Sequence, residues 1–475
     1  MRVNGWTLRA LGGLVMVACG CMAVDDRQAD RTGEDPTATA ELPAAARVGG
    51  HLWSRIAIEE RVSPPGRPDA FELEAAVGRR GDTFLGATFT GTLDLGGRRL
   101  TSAGDGSTED RDFAVARYGH NGALRWAKSY GGPGWQELRA LAPKGDAGLL
   151  VAGHFRDALD LGGIALAPGD ERFVFIGELD GRGKPVWARA YEDEDYAFHV
   201  GQMAADDAGN IAVTGFVMGV YRFAGTTIRG DGSGVIKVDA RGEPLWAADI
   251  GLHADDGPMA MGIDAAGRIA VLENSGKFYR MTLVRLGADG SLLWRRRIRT
   301  TADSDAWMMP SALAVWRTGE VLVVGQGNAT IVVDPSVDMD LGRDPLGCFA
   351  AKLDVGGTLV WVRRFASACF TAAAIDGAGQ VVLGGTLEGA EPLGGTTLTS
   401  DARRPVLVKL DTAGKPISGK VLATGPGTGD VRVLGVDAGR KITLGGVMHG
   451  RLDFGGGPLT AEGAEGAYWL ARLRP

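Results

Sequence analysis

A glycine followed four residues later by tryptophan recurs along this 475-residue chain, at Gly49/Trp53, Gly122/Trp126, Gly183/Trp187, Gly242/Trp246, Gly290/Trp294 and Gly357/Trp361. A seventh copy is degenerate, with Gly414 leading to Ser418. Consecutive copies up to Gly414 stand 48 to 73 residues apart. A period of that order means one supersecondary unit stacked many times, with the core buried between neighbours. The 75 glycines are about double the ordinary share and fall in turns. No helix-period stretch of useful length follows the N-terminus.

Three further elements recur in fixed order around the marker. The first is an apolar strand ending in a polar glycine turn, beginning near Leu73, Leu138, Val200, Met259, Ala312, Thr371 and Val431. The second is a β-branched run such as Ile211 to Gly215 or Val321 to Gly325, and the third alternates toward an Asp-x-x-Gly turn, as in Val235 to Asp239. The tryptophan strand comes fourth. Period-2 alternation between glycine turns predicts four antiparallel strands per unit. The third element occurs a seventh time at Tyr468 to Leu473 and runs into the C-terminus, whereas Leu52 to Ile56 is a fourth strand without a unit. Pairing the two leaves no open sheet edge. The expectation is therefore an all-β, seven-bladed β-propeller over 48–475, closed by an N-terminal strand that completes the last blade. Inserts resembling Leu93-Asp94-Leu95-Gly96-Gly97 lie between second and third strands and account for the variation in unit length.

Ahead of the repeats, Arg2 and Arg9 flank a short apolar stretch, Ala10 to Ala18, too short to span a bilayer and read as a secretory signal over 1–18. Met16-Val17-Ala18-Cys19 resembles the bacterial lipobox, which implies cleavage before Cys19 and acylation of that residue. Cleavage near Ala23 or use of Cys21 are the alternatives. The segment 19–47 lacks apolar periodicity and reads as a flexible tether, and Gly20 after the cysteine implies outer-membrane or surface placement by likeness to Gram-negative sorting rules. Removing the signal takes away Arg2 and Arg9, so the formal charge moves from −7 to −9. An acidic exported chain is not expected to bind nucleic acid.

Cys348 and Cys369 are the cysteines of the repeat region and are the disulfide candidates in a compartment that permits oxidation. The six histidines form no metal-ligand spacing, and no nucleophile elbow or phosphate loop occurs. No catalytic residue and no cofactor is expected. Asp206-Asp207-Ala208-Gly209-Asn210 has a calcium-loop flavour, but its counterparts in other units mark it as a turn signature. The loops between second and third strands and between units are the long ones, and they emerge on one face. Glu192, Asp193, Glu194, Asp195, Asp255 and Asp256 lie in such loops and are candidate ligands for a cation or a basic partner; the alternative is a solvated acidic rim.

The Leu-Asp-Leu-Gly-Gly inserts and the Lys-Leu-Asp-x-x-Gly turns resemble the SBBP repeats of bacterial secreted and surface proteins. The run Lys352 to Gly357 leading to Trp361 is also similar to quinoprotein-like repeats, found in quinone-dependent dehydrogenases and in outer-membrane assembly lipoproteins. Those dehydrogenases usually carry eight blades and a vicinal cysteine pair, which this chain lacks. The leading reading is a monomeric lipoprotein, held to the membrane by its lipid, whose propeller is a non-catalytic scaffold with a protein or polysaccharide partner on the long-loop face. The alternatives are a quinone-dependent oxidoreductase, a hydrolase of extracellular polymer, and an envelope-assembly scaffold.

Overall fold

The computed structural model describes residues 50–59, 73–103, 111–193, 196–230, 232–250, 258–274, 280–328 except 301–306, 330–333, 338–340, 347–463 and 466–475. The signal segment 1–18, Cys19, Cys21 and the tether 19–47 lie outside these residues. So do Glu194, Asp195, Asp255 and Asp256.

Every regular element among the described residues is a β-strand. The strands form consecutive antiparallel sheets, each built on four strands, which in the first six follow one another in meander order. Sheet one is Leu73–Val77, Thr83–Phe89, Asp112–Tyr118 and Leu124–Tyr130, and sheet two is Gln136–Lys144, Gly148–Asp160, Ala165–Leu179 and Pro185–Glu192. Sheet three is Phe198–Ala205, Ile211–Val217, Gly232–Val238 and Pro244–Asp249. Pro258–Ile263, Ile269–Asn274, Arg280–Leu286 and Leu292–Thr300 make sheet four. Sheet five is Met308–Val315, Val321–Gly327, Gly347–Leu353 and Leu359–Phe365, and sheet six is Ala368–Ile375, Val381–Pro392, Thr397–Leu410 and Pro416–Val421. Sheet seven combines Val433–Val436, Ile442–Asp453 and Ala467–Leu473 with the N-terminal strand His51–Glu59. In that last pairing Ser54 stands opposite Ala471 and Ile56 opposite Trp469.

Burial follows strand position. Second and third strands such as Thr83–Phe89 and Gly347–Leu353 are buried at every residue, because a neighbouring sheet covers each face. First strands alternate, as in Met308–Val315, with one side against a neighbour and the other less covered. Fourth strands are the least covered. First strands contact one another in succession through the sheets, and Leu73–Val77 of sheet one also contacts Val433–Val436 of sheet seven. Four-stranded sheets stacked around their first strands are a β-propeller architecture.

The inserts between second and third strands carry a stitch that the repeat pattern did not reveal. Leu95 of the sheet-one insert pairs with Ile58 of the N-terminal strand, and Thr330–Val333 of the sheet-five insert pairs with the fourth strand of sheet four. Asp160 and Asp453 bridge to Gly131 and Thr424, just beyond the fourth strands of sheets one and six. These four inserts thus lie against the preceding sheet. The Asp of the insert signature caps the hairpin: Asp94 Oδ1 accepts from Gly97 N at 2.7 Å, and Asp160 Oδ1 accepts from Gly162 N and Gly163 N at 2.8 and 2.7 Å.

Candidate functional site

The marker repeat is a joint between units. Trp53 packs against Gly122 of sheet one, and the same one-unit step joins Trp126 to Gly183, Trp187 to Gly242, Trp246 to Gly290, Trp294 to Gly357 and Trp361 to Gly414. Gly122 shows why no other residue fits. Its φ is +78°, and a Cβ there would stand 2.6 Å from the Trp53 indole. In five of the six the indole N–H donates to a carbonyl in the same turn, as from Trp53 to His120 at 2.9 Å, Trp126 to Gly181 at 2.9 Å and Trp294 to Val355 at 2.8 Å, whereas Trp187 Nε1 donates to Glu178 Oε2 at 2.9 Å. Six of the tryptophans are thereby accounted for structurally.

A second repeated device sits beside each joint. The acid in the turn between first and second strands pairs with a cation near the end of the third: Asp82 with Arg117, Asp206 with Lys237 at 3.3 Å, Asp264 with Arg285, Glu320 with Lys352 at 3.3 Å, Asp376 with Lys409 at 2.9 Å and Asp437 with Arg472. Sheet two reverses the charges, placing Lys144 Nζ 2.6 Å from Glu178 Oε2. The cation also reaches the next unit. Arg117 donates to Gly181 O, Lys237 to Ala288 O at 3.3 Å, and Arg472 of the last sheet donates to Gly81 O of the first at 2.7 Å. The pairs Asp264–Arg285, Asp206–Lys237, Asp376–Lys409 and Asp437–Arg472 are buried, so losing one partner there strands the other charge away from water, while Glu320–Lys352 and Lys144–Glu178 are partly exposed.

The cysteines and the acidic candidates are placed as follows. Cys348 and Cys369 are joined by a disulfide with Cα atoms 5.3 Å apart, linking the third strand of sheet five to the first of sheet six. Asp206 accepts from Asn210 N at 2.8 Å, which is the turn cap read from its counterparts. Glu192 is exposed at the end of the fourth strand of sheet two. Asp193 departs from the picture of an acidic rim. Its side chain is fully buried, Oδ1 accepts from Phe198 N at 2.7 Å, and Oδ2 lies 3.6 Å from Arg172 Nε. Among the described residues no group of three or more His, Cys, Asp or Glu side chains could hold a metal ion.

Around Asp193 the fold gathers residues that are scattered in sequence. Arg172 lies between two aromatic rings, 5.6 Å from the Trp135 centroid and 4.9 Å from that of Tyr196, and Arg156 stands 5.6 Å over Tyr196. His154 stacks on Trp135 and meets His199 edge-on at 6.2 Å. Its Nε2 accepts from Val200 N at 3.1 Å, and its Nδ1 lies 3.6 Å from Glu137 Oε2. Arg139 Nη1 reaches Glu137 at 3.4 Å. Burial, reinforced by Arg172 and Arg139, lowers His199 to about 4 and holds His154 well below the ordinary histidine value. Burial also pushes the Asp193 carboxyl up to about 6, against the pull of Arg172 and the backbone N–H groups of Phe198 and Ala197.

This cluster lies where first strands begin and fourth strands end, on the long-loop face. Tyr196 takes φ +58°, a strained value for a tyrosine. It is also exposed, and so is Met218, whose N–H donates to Ala197 O at 2.8 Å. The sequence offers no metal-ligand spacing for His154 and His199, because no short motif joins positions 45 residues apart. The one available signal was the concentration of Trp135, His154, Tyr196 and His199 in two consecutive units.

No protein-family model matches the chain, and no curated protein matches it. Among solved structures it is similar to the WD40 domain of Neurospora crassa Pan2, at 12% identity over 90% of this chain and 96% of that one with a TM-score of 0.47. It is similar to the Dos1 propeller at 11% identity, over 84% and 91% of the two chains, with a TM-score of 0.39. It is similar as well to a gluconolactonase from Xanthomonas campestris at 13% identity, over 69% and 90%, with a TM-score of 0.30. The sheet order and the contacts between sheets, rather than these likenesses, define the chain as a β-propeller protein built of four-stranded repeats.

Proposed function

We propose that the chain is a membrane-anchored extracytoplasmic lipoprotein of the bacterial surface-repeat type, whose seven-bladed propeller is a closed ring and a non-catalytic binding scaffold. Three observations support ring closure. The strand His51–Glu59 pairs with Ala467–Leu473, Arg472 donates to Gly81 O, and the turns of sheets one, three and five meet through Arg79, Asp207 and Arg317. Cys19 is the acylated residue in this reading, with the tether 19–47 leading to the ring and the outer membrane or cell surface as its place.

The recognition surface is the long-loop face at sheets two and three, and one observation carries that choice. Of the exposed large apolar side chains among the described residues, Tyr196 and Met218 stand together on that face, beside Arg156. The others, Leu52, Val186, Leu245, Leu292, Leu293, Val355, Val360 and Ile417, lie along fourth strands and their turns. Tyrosine, methionine and arginine are the types enriched where proteins bind one another. The partner is accordingly a protein of the envelope or its surroundings. A photo-crosslinking residue at Met218 of the full chain in intact cells should capture a discrete product that the same residue at Val355 does not. Equal labelling from both positions, or none from Met218, would contradict this surface. Cys19→Ser should abolish partition into detergent, and unchanged partition would refute the anchor.

A further inference from the structure

We propose that the contact between Arg172 and Asp193 is a proton-operated latch between sheets two and three, closed in neutral solution and open in mildly acidic solution, that sets how Tyr196 and Met218 are presented. It deepens the recognition reading above and rests on it for its biological meaning, although the latch itself is a property of the folded chain.

The geometry assigns the parts. Asp193 is the carboxylate that faces Arg172 most closely, with Oδ2 3.6 Å from Nε and Oδ1 holding Phe198 N–H at 2.7 Å. Phe198 opens the first strand of sheet three, so one side chain ties the end of sheet two to the start of its neighbour. Tyr196 lies between these anchors in sequence and its ring lies over Arg172; Ala197 accepts the Met218 N–H. Neutralising Asp193 removes the charge opposite Arg172 and weakens the bond to Phe198, because a carboxylate accepts more strongly than a carboxylic acid.

The surroundings decide which group responds. Facing the pair are Glu137 and Arg139 from the first strand of sheet two, and His154 and Arg156 from the second. Tyr191 closes sheet two, and His199 and Tyr221 come from sheet three. Burial keeps both tyrosine hydroxyls protonated. Burial first, then Arg172 and Arg139, keeps His199 neutral down to about pH 4, and His154 is lowered as well. Asp193 takes its proton near pH 6, well before either imidazole.

The sign of the linkage makes this a local event. Asp193 has its folded-state value raised, so its protonation as pH falls through about 6 relieves a cost in the native state and favours folding. The two histidines have theirs lowered, so they withdraw stability as pH falls below their unfolded value of 6.5. These opposed effects overlap, and global melting does not isolate the latch.

Hydrogen exchange at the Phe198 and Met218 amides of the full chain does isolate it, once rates are corrected for intrinsic pH dependence. Between about pH 7.5 and about pH 5, protection at these amides should fall roughly tenfold, the scale of one lost hydrogen bond. The midpoint should lie near 6. Asp193→Asn at neutral pH should match the acidic wild type and show no further response, and His199→Gln should keep the wild-type midpoint. Flat wild-type protection across the range overturns the latch, and so does a midpoint abolished by His199→Gln; both readings stand even if Asp193→Asn fails to fold. An intact exchange transition with no crosslink from Met218 would count against the recognition surface and leave the latch in place.

Discussion

The tight-turn face and the long-loop face at sheets two and three are built from the same four-stranded unit, yet they differ in what varies. On the tight-turn face the Trp–Gly joint and the acid–cation pair recur from sheet to sheet, and even the reversed pair Lys144–Glu178 keeps the contact while exchanging the charges. On the long-loop face, the stack of His154, Trp135, Arg172 and Tyr196 belongs to one junction. Repetition marks what every unit needs to bind its neighbour. The residues that break the repeat mark where this molecule differs from a generic propeller, and the proposed recognition surface is placed there.

One deletion and three sets of substitutions test that division, from the largest effect to the smallest. Deleting 48–58 removes the partner of Ala467–Leu473 and opens a sheet edge, so the chain should aggregate; a monomeric product with an unchanged Tm would break the ring. Asp264→Ala leaves Arg285 buried without its carboxylate, although burial already lowers that guanidinium to about 10. It should cost about 3–5 kcal/mol by denaturant unfolding, whereas Asp264→Leu with Arg285→Met should recover part of the loss, the remainder reflecting the Asp264 bonds to Ala266 N, Arg268 N and Arg268 Nε. Trp246→Ala removes a half-buried indole and its 3.0 Å bond to Ala288 O. The cost should be about 1–3 kcal/mol, less than the ~3–5 of a fully buried aromatic. Glu192→Gln, at the exposed end of sheet two, should leave the melting curve superimposable on wild type and should matter, if anywhere, in crosslinking yield.

Sequence carried the fold further than the site. The strand reading located the first strands within a few residues, from Leu73 as expected to Ala368 where Thr371 was expected, and it identified the N-terminal strand that His51–Glu59 extends by a few residues. Periodic signals are legible because each unit repeats the evidence. The inserts were legible as a motif, but not as stitches onto the preceding sheet, since pairings such as Leu95 with Ile58 join positions far apart in the chain. Asp193 illustrates the limit. Its neighbours Glu192 and Glu194 make it look like one of an acidic rim, and only the fold shows that Arg172, 21 positions away, faces it in the interior. His154 and His199 were missed for the same reason.

Closure of the ring by the N-terminal strand is the claim on which the rest depends, and the exchange behaviour of that strand tests it without altering the chain. Ser54 to Ile56 lie opposite Trp469 to Ala471, whose strand also pairs with Ile442–Asp453. If the ring is closed as proposed, amides of Trp53 to Ile56 that bond across this pairing should exchange as slowly as those of Gly445 to Val447 and should open together with them in denaturant. Exchange at Trp53 to Ile56 that is fast in native conditions, while Gly445 to Val447 stays protected, would contradict the account.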